Sequence, residues 1–364
     1  VKKCPYCDFN SHALRGSIDE EGYVAALIRD LDFELRDAPE SRPLSSIFIG
    51  GGTPSLFSDR AMAATLEAVA RRLSFAADIE ITLEANPGTV DAAHFRGYRA
   101  AGVNRLSIGV QSLDDVQLKK LGRIHGREDA IAAVHIAREA GFDNFNLDLM
   151  YALPQQTPDE AAADLHAALA LAPTHLSYYQ LTLEPNTEFA ARPPPLPDDD
   201  TAWTMQLAAE ALLSEHGYGQ YEVSAYAQPG RQCRHNRNYW EFGDYLGIGA
   251  GAHAKRTRDG QITRRARQKH PRLYLGAAGT VAALQDDRAV PVEELAYEFT
   301  MNALRLNEGF AIDSYLARTG EPLCSILPTF QQLQLRQLIE ITDDRIRATP
   351  LGRAHLNTLI AEFI

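Results

Sequence analysis

Between residues 45 and 180, short apolar runs alternate with longer stretches whose apolar positions recur three and four apart. The runs are SSIFIG (45 to 50), DIEITLEA (78 to 85), VNRLSIGV (103 to 110), FDNFNLDLMY (142 to 151) and THLSYYQLTL (174 to 183), and their length and composition predict strands. Residues 59 to 73, 91 to 101, 126 to 140 and 158 to 171 carry the amphipathic period of helices. Strands alternating with helices predict parallel strands joined by crossover helices. Two architectures meet that description, an open doubly wound sheet and a (βα) barrel.

Polar residues at the strand ends separate the two. Gly51, Gly52 and Thr53, Glu84 and Asn86, Gln111, Asp148, and Gln180 with Thr182 fall at or just past the C-terminal ends of five successive strands. A barrel rim converges such groups on one site, whereas an open sheet gathers them at one switch point. The pattern therefore predicts an α/β protein with an incomplete parallel (βα) barrel over residues 1–185, with a further strand expected upstream of Val1.

EFAARPPPLPDDD (188 to 200) interrupts the alternation. Its prolines predict a stiff connector over 186–200, and its aspartates an N-cap for a helix starting near Thr201. Residues 201–290 read as a mixed α/β extension, with aromatic-rich strands over 218–227 and 239–248 and a basic hairpin. Residues 291–364 read as helical, and the closing segment LIEITDDRIRATPLGRAHLNTLIAEFI has the order of a small winged-helix-like domain.

Composition narrows the function. Of 364 residues, 45% are apolar and 23% charged, ordinary values for a soluble globular chain, and the length suits one barrel plus an appended domain. A net charge of −12 disfavours broad nucleic-acid binding, which needs cations along the phosphates. No run approaches the roughly 18 apolar residues of a membrane span, and no apolar leader precedes the first element, so a cytoplasmic protein is expected. Four cysteines, Cys4, Cys7, Cys233 and Cys324, are too few for a disulfide scaffold.

The opening Cys4-Pro-Tyr-Cys7 admits three chemistries: a redox dithiol, half of a zinc site, or part of an iron–sulfur ligand set. A dithiol needs the motif at a helix N-terminus, but DFNSHALRG follows and opposes immediate helix formation. Zinc needs two more ligands, which Cys233 and His235 could supply. VKKCPYC completes C-x3-C-x2-C if the residue before Val1 is cysteine, and three thiolates on one loop hold a [4Fe–4S] cube with one iron open. The IGGGTPS turn after the first strand allows close backbone approach to a ligand, and without a following lysine it is no phosphate-binding loop; a plain βα turn is the simpler reading.

CPYCDFNSH, IGGGTPS, LEANP, SIGVQS, LGRIHGR, NLDLMYALPQQT, YYQLTLEPNT, HNRNYW and LGIGAGAH occur in this order. Together they resemble the radical S-adenosylmethionine (SAM) enzymes of the oxygen-independent coproporphyrinogen oxidase superfamily, and most closely its haem-chaperone, HemW-like branch. The resemblance spans nearly the whole chain. It departs from the family pattern in that the first cluster cysteine is absent.

The resemblance implies a [4Fe–4S] cluster on Cys4 and Cys7, with the third cysteine expected just before Val1. It places the SAM amino group on Gly51, Gly52 and Thr53 and the adenine beside Tyr6, with Phe9 adjacent. Glu84, Gln111, Asp148 and Thr182 supply polar groups to SAM, and Arg123 pairs with its carboxylate. Each polar residue taken singly reads equally well as a structural rim group.

HNRNYW resembles a haem-handling signature, with His235 as axial ligand, Tyr239 and Trp240 against the porphyrin and Cys233 as a substitute ligand. A buried His–Asn pair with Trp240 in the core is the alternative. The resemblance further implies haem delivery to respiratory haem proteins. Coproporphyrinogen dehydrogenation by a 5′-deoxyadenosyl radical is the competing activity. The oxidases carry another cysteine two residues past the last cluster ligand; Phe9 stands there instead, which favours the carrier. A zinc-stabilised barrel hydrolase lacks a nucleophile and base.

Lys255, Arg256, Arg258, Arg264, Arg265, Arg267, Lys269 and Arg272, with Arg237 upstream, stand against one acid, Asp259. Asp259-Gly260 is a hairpin signal. The run reads as a solvated strand edge, or as a surface for porphyrin propionates or an anionic membrane.

Overall fold

The computed structural model describes residues 3–12, 19–36, 40–88 and 91–364. Val1 and Lys2, beside which the third cysteine is expected, lie outside the described residues. The chain divides into two compact units: the first comprises residues up to Ile28, Pro39–Gln220 and Ser224–Gln232, and the second comprises residues from Arg29, Tyr221–Val223 and Cys233–Ile364. Helix α1 (Glu20–Arg36) gives its first half to one and its second half to the other.

The first unit is the incomplete barrel. Strands β1 (Leu44–Ile49), β2 (Phe75–Ala85), β3 (Arg105–Gln111), β4 (Phe145–Tyr151) and β5 (His175–Gln180) lie in sequential order, each parallel to the next. Their crossovers carry α2 (Asp59–Ala70), α3 (Ala92–Ala101), α4 (Asp115–Lys120), α5 (Arg127–Glu139) and α6 (Pro158–Ala170). Sequential order without a reversal belongs to a barrel rather than to a doubly wound sheet, which changes direction at its switch point.

Local chemistry starts and stops these helices. Asp91 accepts from the amides of Ala93 and His94 at the start of α3, and Gly102, at φ 112°, closes it. Thr157 and Glu160 form a reciprocal capping box on α6, with Pro158 at its first position.

The unit extends beyond residue 185, where the sequence pattern sets the barrel's end. After α7 (Glu188–Ala191), α8 (Asp199–Glu215) buries Ala202, Met205, Ala209 and Leu213 in the barrel's own core, with Asp198 accepting from the Thr201 amide as its N-cap. The segment read as one strand over 218–227 forms two, β6 (Gly219–Glu222) and β7 (Ala225–Ala227), which extend the sheet in the order β1-β2-β3-β4-β5-β7-β6. β7 runs antiparallel to β5. Period-2 patterning cannot show where a strand folds back when aromatic residues fill both halves.

The two faces of the sheet differ. Ile81, Leu83, Leu106, Ile108, Val110, Phe145, Leu147, Leu149, Leu176 and Tyr178 pack in one cluster with Met62, Leu66, Phe95, Val134 and Leu165 of the helices. The alternate positions include Glu80, Thr82, Glu84, Arg105, Ser107, Asn146, Asp148, His175 and Ser177, so strand alternation puts a polar face opposite the helix-covered one.

In the second unit, β8 (His253–Arg258) and β9 (Gln261–Arg267) form the expected basic hairpin, extended by β10 (Leu284–Ala289). The segment 239–248, read as a strand, is not one. Helix α9 (Arg234–Trp240) takes its start, stabilised by the Arg237–Glu241 pair at i,i+4. An irregular stretch follows, with Phe242 at φ 54° and only an isolated bridge between Tyr245 and Lys255. Beyond α10 (Pro271–Ala277), helices α11 (Leu295–Ala303), α12 (Ile312–Thr319) and α13 (Leu327–Leu335) precede α14 (Pro350–Ala354) and α15 (Leu356–Ala361). A small sheet, β11 (Phe310–Ala311), β13 (Arg345–Ala348) and β12 (Ile339–Ile341) in that order, shares a core with them around Phe299, Phe310, Phe330 and Ile346.

The basic run is largely neutralised inside this unit. Arg267 pairs with Asp30 (Nε–Oδ1 2.8 Å) and with Glu34, Arg265 with Glu34 and Asp287, Arg256 with Glu34, Lys255 with Asp244 and Arg264 with Glu298. Asp30 and Glu34 are 0% and 1% exposed and Arg267 1%. These hairpin cations are therefore mostly internal partners rather than a solvated edge.

Candidate functional site at the barrel rim

The N-terminal loop is anchored onto the barrel. Cys4 and Cys7 close a tight turn, with the Cys7 amide donating to Cys4 O at 3.2 Å, and neither is in a disulfide. Pro5 O accepts from the Phe189 amide at the start of α7, and the Tyr6 ring lies 6.4 Å from that of Phe189. Tyr6 and Tyr179 pack against a buried group of Leu121, Met150, Leu153, Leu181 and Phe189. Gly122 has φ 68°, and a Cβ there would stand 2.7 Å from Pro5 Cδ, so the loop after α4 passes the cysteine turn only as glycine.

Arg123 follows this glycine. Its Nη2 donates to Asn86 Oδ1 and Gly109 O, both at 2.8 Å, and its Nη1 lies 3.8 Å from Cys4 Sγ. Its Nε is buried with no hydrogen-bond partner. The structure thus brings the cysteine turn and the Arg123 strand-end environment together.

Gly51 and Gly52 turn with φ of 88° and 31°, and Gly51 N donates to Glu84 Oε2 at 2.9 Å. The space a Cβ would take on Gly51 is open, and on Gly52 the nearest atom is Asn10 O at 3.7 Å. Thr53 stands at the N-cap position of the one-turn 3-10 helix Pro54–Leu56 without a side-chain capping bond. Burial, then the charge of Asp148, pushes the Glu84 carboxyl up to about 7. Asp148 accepts from Asn146 Nδ2 at 2.7 Å and Ser107 Oγ at 3.2 Å, and burial raises its pKa against those bonds. Asn146 Oδ1 lies 2.7 Å from His175 Nδ1, carrying the polar network down the strands.

Gln111 ends β3 at φ 69°, after a register shift, and its Oε1 accepts from Tyr179 O–H at 2.7 Å. The sequence patterning missed Tyr179, because an aromatic within an apolar strand reads as core. Gly109, which a Cβ would bring within 3.0 Å of Gln111 Nε2 and 3.1 Å of Asn86 Oδ1, was equally hidden. Two expected residues are not drawn in: Phe9 is 60% exposed, and Thr182 is exposed and donates to Glu184 at 2.8 Å.

The second cluster lies in the other unit. His235 and Cys233 are buried, with Cys233 Sγ 3.0 Å from His235 Nδ1. The His235 ring stands edge-on to Tyr239, with centroids 6.1 Å apart, and Tyr239 edge-on to Tyr245 at 4.7 Å. The Arg305 guanidinium lies over the Trp240 ring at 4.5 Å, so one face of that ring is covered. Arg305 carries the cation–π contact that HNRNYW alone does not reveal.

Comparison with known proteins now bears on these sites. Residues 1–168 match the radical SAM superfamily and residues 290–355 the HemN C-terminal domain. The chain is 48% identical to heme chaperone HemW of Escherichia coli and 46% identical to heme chaperone HemW of Haemophilus influenzae, each over 100% of this chain and 95% of the relative. It is 32% identical to heme chaperone HemW of Bacillus subtilis over 99% of this chain and 96% of that one. The solved structure of E. coli coproporphyrinogen III oxidase (HemN), described as a radical SAM enzyme, aligns at TM-score 0.81 and 24% identity over 100% of this chain and 87% of that one, a likeness of fold.

The radical SAM superfamily implies a [4Fe–4S] cluster and SAM as cofactors. The residues fit them: two thiols share one turn beside a cation whose Nε has no partner, and two glycines at positive φ, with open space over Gly51, stand by half-buried carboxyls. Identity across the full length of several chaperones leads to one conclusion: this chain belongs to the HemW family of the radical SAM superfamily.

Proposed function

We propose that this protein is a haem chaperone. Its barrel unit holds the cluster and SAM, and its second unit holds haem for delivery to respiratory haem proteins. The observation that carries the reading is 48% identity to a HemW chaperone along the whole chain. Phe9, where the oxidases carry a further cysteine, supports it.

In this reading Cys4 and Cys7 ligate the cluster, with the third thiolate supplied from upstream of Val1. When bound, cluster and SAM together supply one-electron chemistry. The chain's own residues do the holding. Glu84 and Asp148 accept from the ammonium and ribose of SAM, and Arg123 pairs with its carboxylate. Gly51, Gly52 and Thr53 let the backbone approach, Gln111 adds a polar contact, and Tyr6 walls the adenine. Phe9 and Thr182 take the outer edge.

His235 is the proposed axial ligand to haem iron, with Cys233 as the substitute and Tyr239 and Trp240 beside the porphyrin. The burial of His235 among tyrosines supports this assignment. Contact with a membrane gains nothing from the basic hairpin, since acids of the same unit pair with most of its cations. No described helix is long and apolar enough to cross a membrane; a cytoplasmic location is part of the proposal.

The test is anaerobic reconstitution of the full-length protein, read for iron and sulfide, for haem uptake, and for 5′-deoxyadenosine formed with coproporphyrinogen present. Haem uptake with coproporphyrinogen unchanged supports the chaperone. Consumption of coproporphyrinogen with stoichiometric 5′-deoxyadenosine overturns it in favour of the oxidase.

A further inference from the structure

We infer that Tyr179 is a positioning residue of the SAM site: its phenol fixes the Gln111 side-chain amide so that the Nε2 donor, not the oxygen, faces the ligand. The inference rests on the proposal that the barrel rim binds SAM.

The backbone at Gln111 motivates it. A non-glycine residue at φ 69° costs about 1–2 kcal/mol, and strain of this kind is kept where surrounding contacts over-determine it. The register between β3 and β4 shifts over Ile108 to Gln111, and such irregularities re-aim a side chain at a strand end. The left-handed turn therefore directs Gln111 away from the regular alternation of β3.

The amide is then held at its oxygen. Tyr179 O–H donates to Oε1 at 2.7 Å. Nε2 lies 3.0 Å, and Asn86 Oδ1 3.1 Å, from the point where a Cβ on residue 109 would stand. In the reversed amide the phenol proton would lose its acceptor. Glycine at 109 leaves this space clear. The Arg123 guanidinium borders the same space, its Nη2 being 3.6 Å from that Cβ position. Both Nη2 hydrogens already go to Asn86 Oδ1 and Gly109 O, so the amide N–H2 of Gln111 is the donor this space offers, beside a positive charge, and that combination selects an anionic oxygen. The carboxylate of the amino-acid part of SAM is the group with that chemistry.

Tyr179 itself is suited to hold a geometry rather than to react. Its pKa is raised well above the usual phenol value, chiefly by burial, so it stays a neutral donor.

The experiment uses the cluster-reconstituted full-length protein and SAM. Affinity is measured by equilibrium dialysis, and the reduced cluster's EPR spectrum is recorded with and without SAM. Tyr179→Phe keeps the ring and removes the donor; Gln111→Glu keeps the acceptor for Tyr179 and removes the Nε2 donor.

Tyr179→Phe is expected to weaken SAM binding about 3- to 10-fold and Gln111→Glu by more. The double variant should match Gln111→Glu alone, because Tyr179 acts only through Gln111. The SAM-induced change in the EPR signal should be altered in Tyr179→Phe at saturating SAM while its melting temperature stays that of the parent. Parental affinity in Tyr179→Phe, or losses that simply add in the double variant, overturns the inference alone. Absence of SAM binding in the parent protein, with the cluster present, overturns the underlying reading as well.

Discussion

The guanidinium of Arg123 and the sulfur of Cys4 are neighbours at 3.8 Å although 119 positions separate them in the chain. That relationship joins the cysteine turn to the ends of β2 and β3, because the same guanidinium donates to Asn86 and to the Gly109 carbonyl. A cation held through Nη2 by two carbonyl-type oxygens is fixed in place, and its charge and its remaining N–H groups are then available to an anion.

Arg123→Ala is expected to lower SAM affinity about 10- to 100-fold, the range for losing a hydrogen bond to a charged group. Arg123→Lys recovers only part, since a single ammonium cannot reproduce the planar spread of guanidinium donors that holds Asn86 and Gly109 O while facing an anion. Equilibrium dialysis against SAM checks both; unchanged affinity in Arg123→Ala would remove it from the site.

Glu84 is expected to make SAM binding pH-dependent. Its carboxyl titrates near 7 in the folded protein, against 4.5 for an ordinary glutamate. A carboxyl raised in this way contributes most to stability below pH 4.5 and loses that contribution as pH climbs through 7, because its charge is then buried. Binding an ammonium needs that charge. Affinity should therefore rise by up to about tenfold per pH unit below 7 and level off above about pH 8, with proton release seen by calorimetry in buffers of different ionisation enthalpy. Glu84→Gln should bind weakly, lose the pH dependence and melt higher than the parent above pH 7 when SAM is absent. A flat affinity profile in the parent protein would contradict the assignment.

Gly122→Ala should loosen the cysteine turn. The substitution places a Cβ 2.7 Å from Pro5 Cδ at φ 68°, for a backbone cost of about 1–2 kcal/mol before any displacement of the loop. Iron retained per chain after reconstitution and desalting should fall, and Pro5→Ala in the same chain should recover part of it. Full iron retention by Gly122→Ala would show that the loop does not depend on this approach.

Arg267 is a structural cation of the second unit. It faces Asp30 and Glu34, and Tyr274 O–H also donates to Asp30 at 2.9 Å. Arg267→Met leaves two buried carboxylates short of a partner and should cost about 3–5 kcal/mol, measured by urea unfolding. Arg258→Gln, at the exposed end of β8, should cost no more than about 1 kcal/mol. Equal effects would mean that the buried network carries no special weight.

Much of the barrel was legible from local signals. Period-2 and period-3.6 patterns are set by side chains a few residues apart, so β1 to β5 and the helices α2, α3, α5 and α6 fall where the apolar runs place them. Glu84, Gln111 and Asp148 stood out as polar residues at strand ends, and Arg123 through the family resemblance. The segment 239–248 misled because its aromatics favour strands, while the Arg237–Glu241 pair and the left-handed Phe242 settle it as a helix end and a loop. The basic hairpin misled for a different reason: its partners Asp30 and Glu34 lie more than two hundred residues upstream.

The succession of β1 to β5 with their helices, the helix-covered and polar faces of those strands, and the residue types at the rim follow from this chain's sequence, because they depend on spacing that repeats every two to four residues. Only the tertiary structure decided which groups meet: Arg123 with Cys4, Pro5 with Gly122, Tyr179 with Gln111 and Arg267 with Asp30. Such pairings depend on distances set by the packing of whole elements, and a neighbour's side chain leaves no periodic mark on the segment it touches.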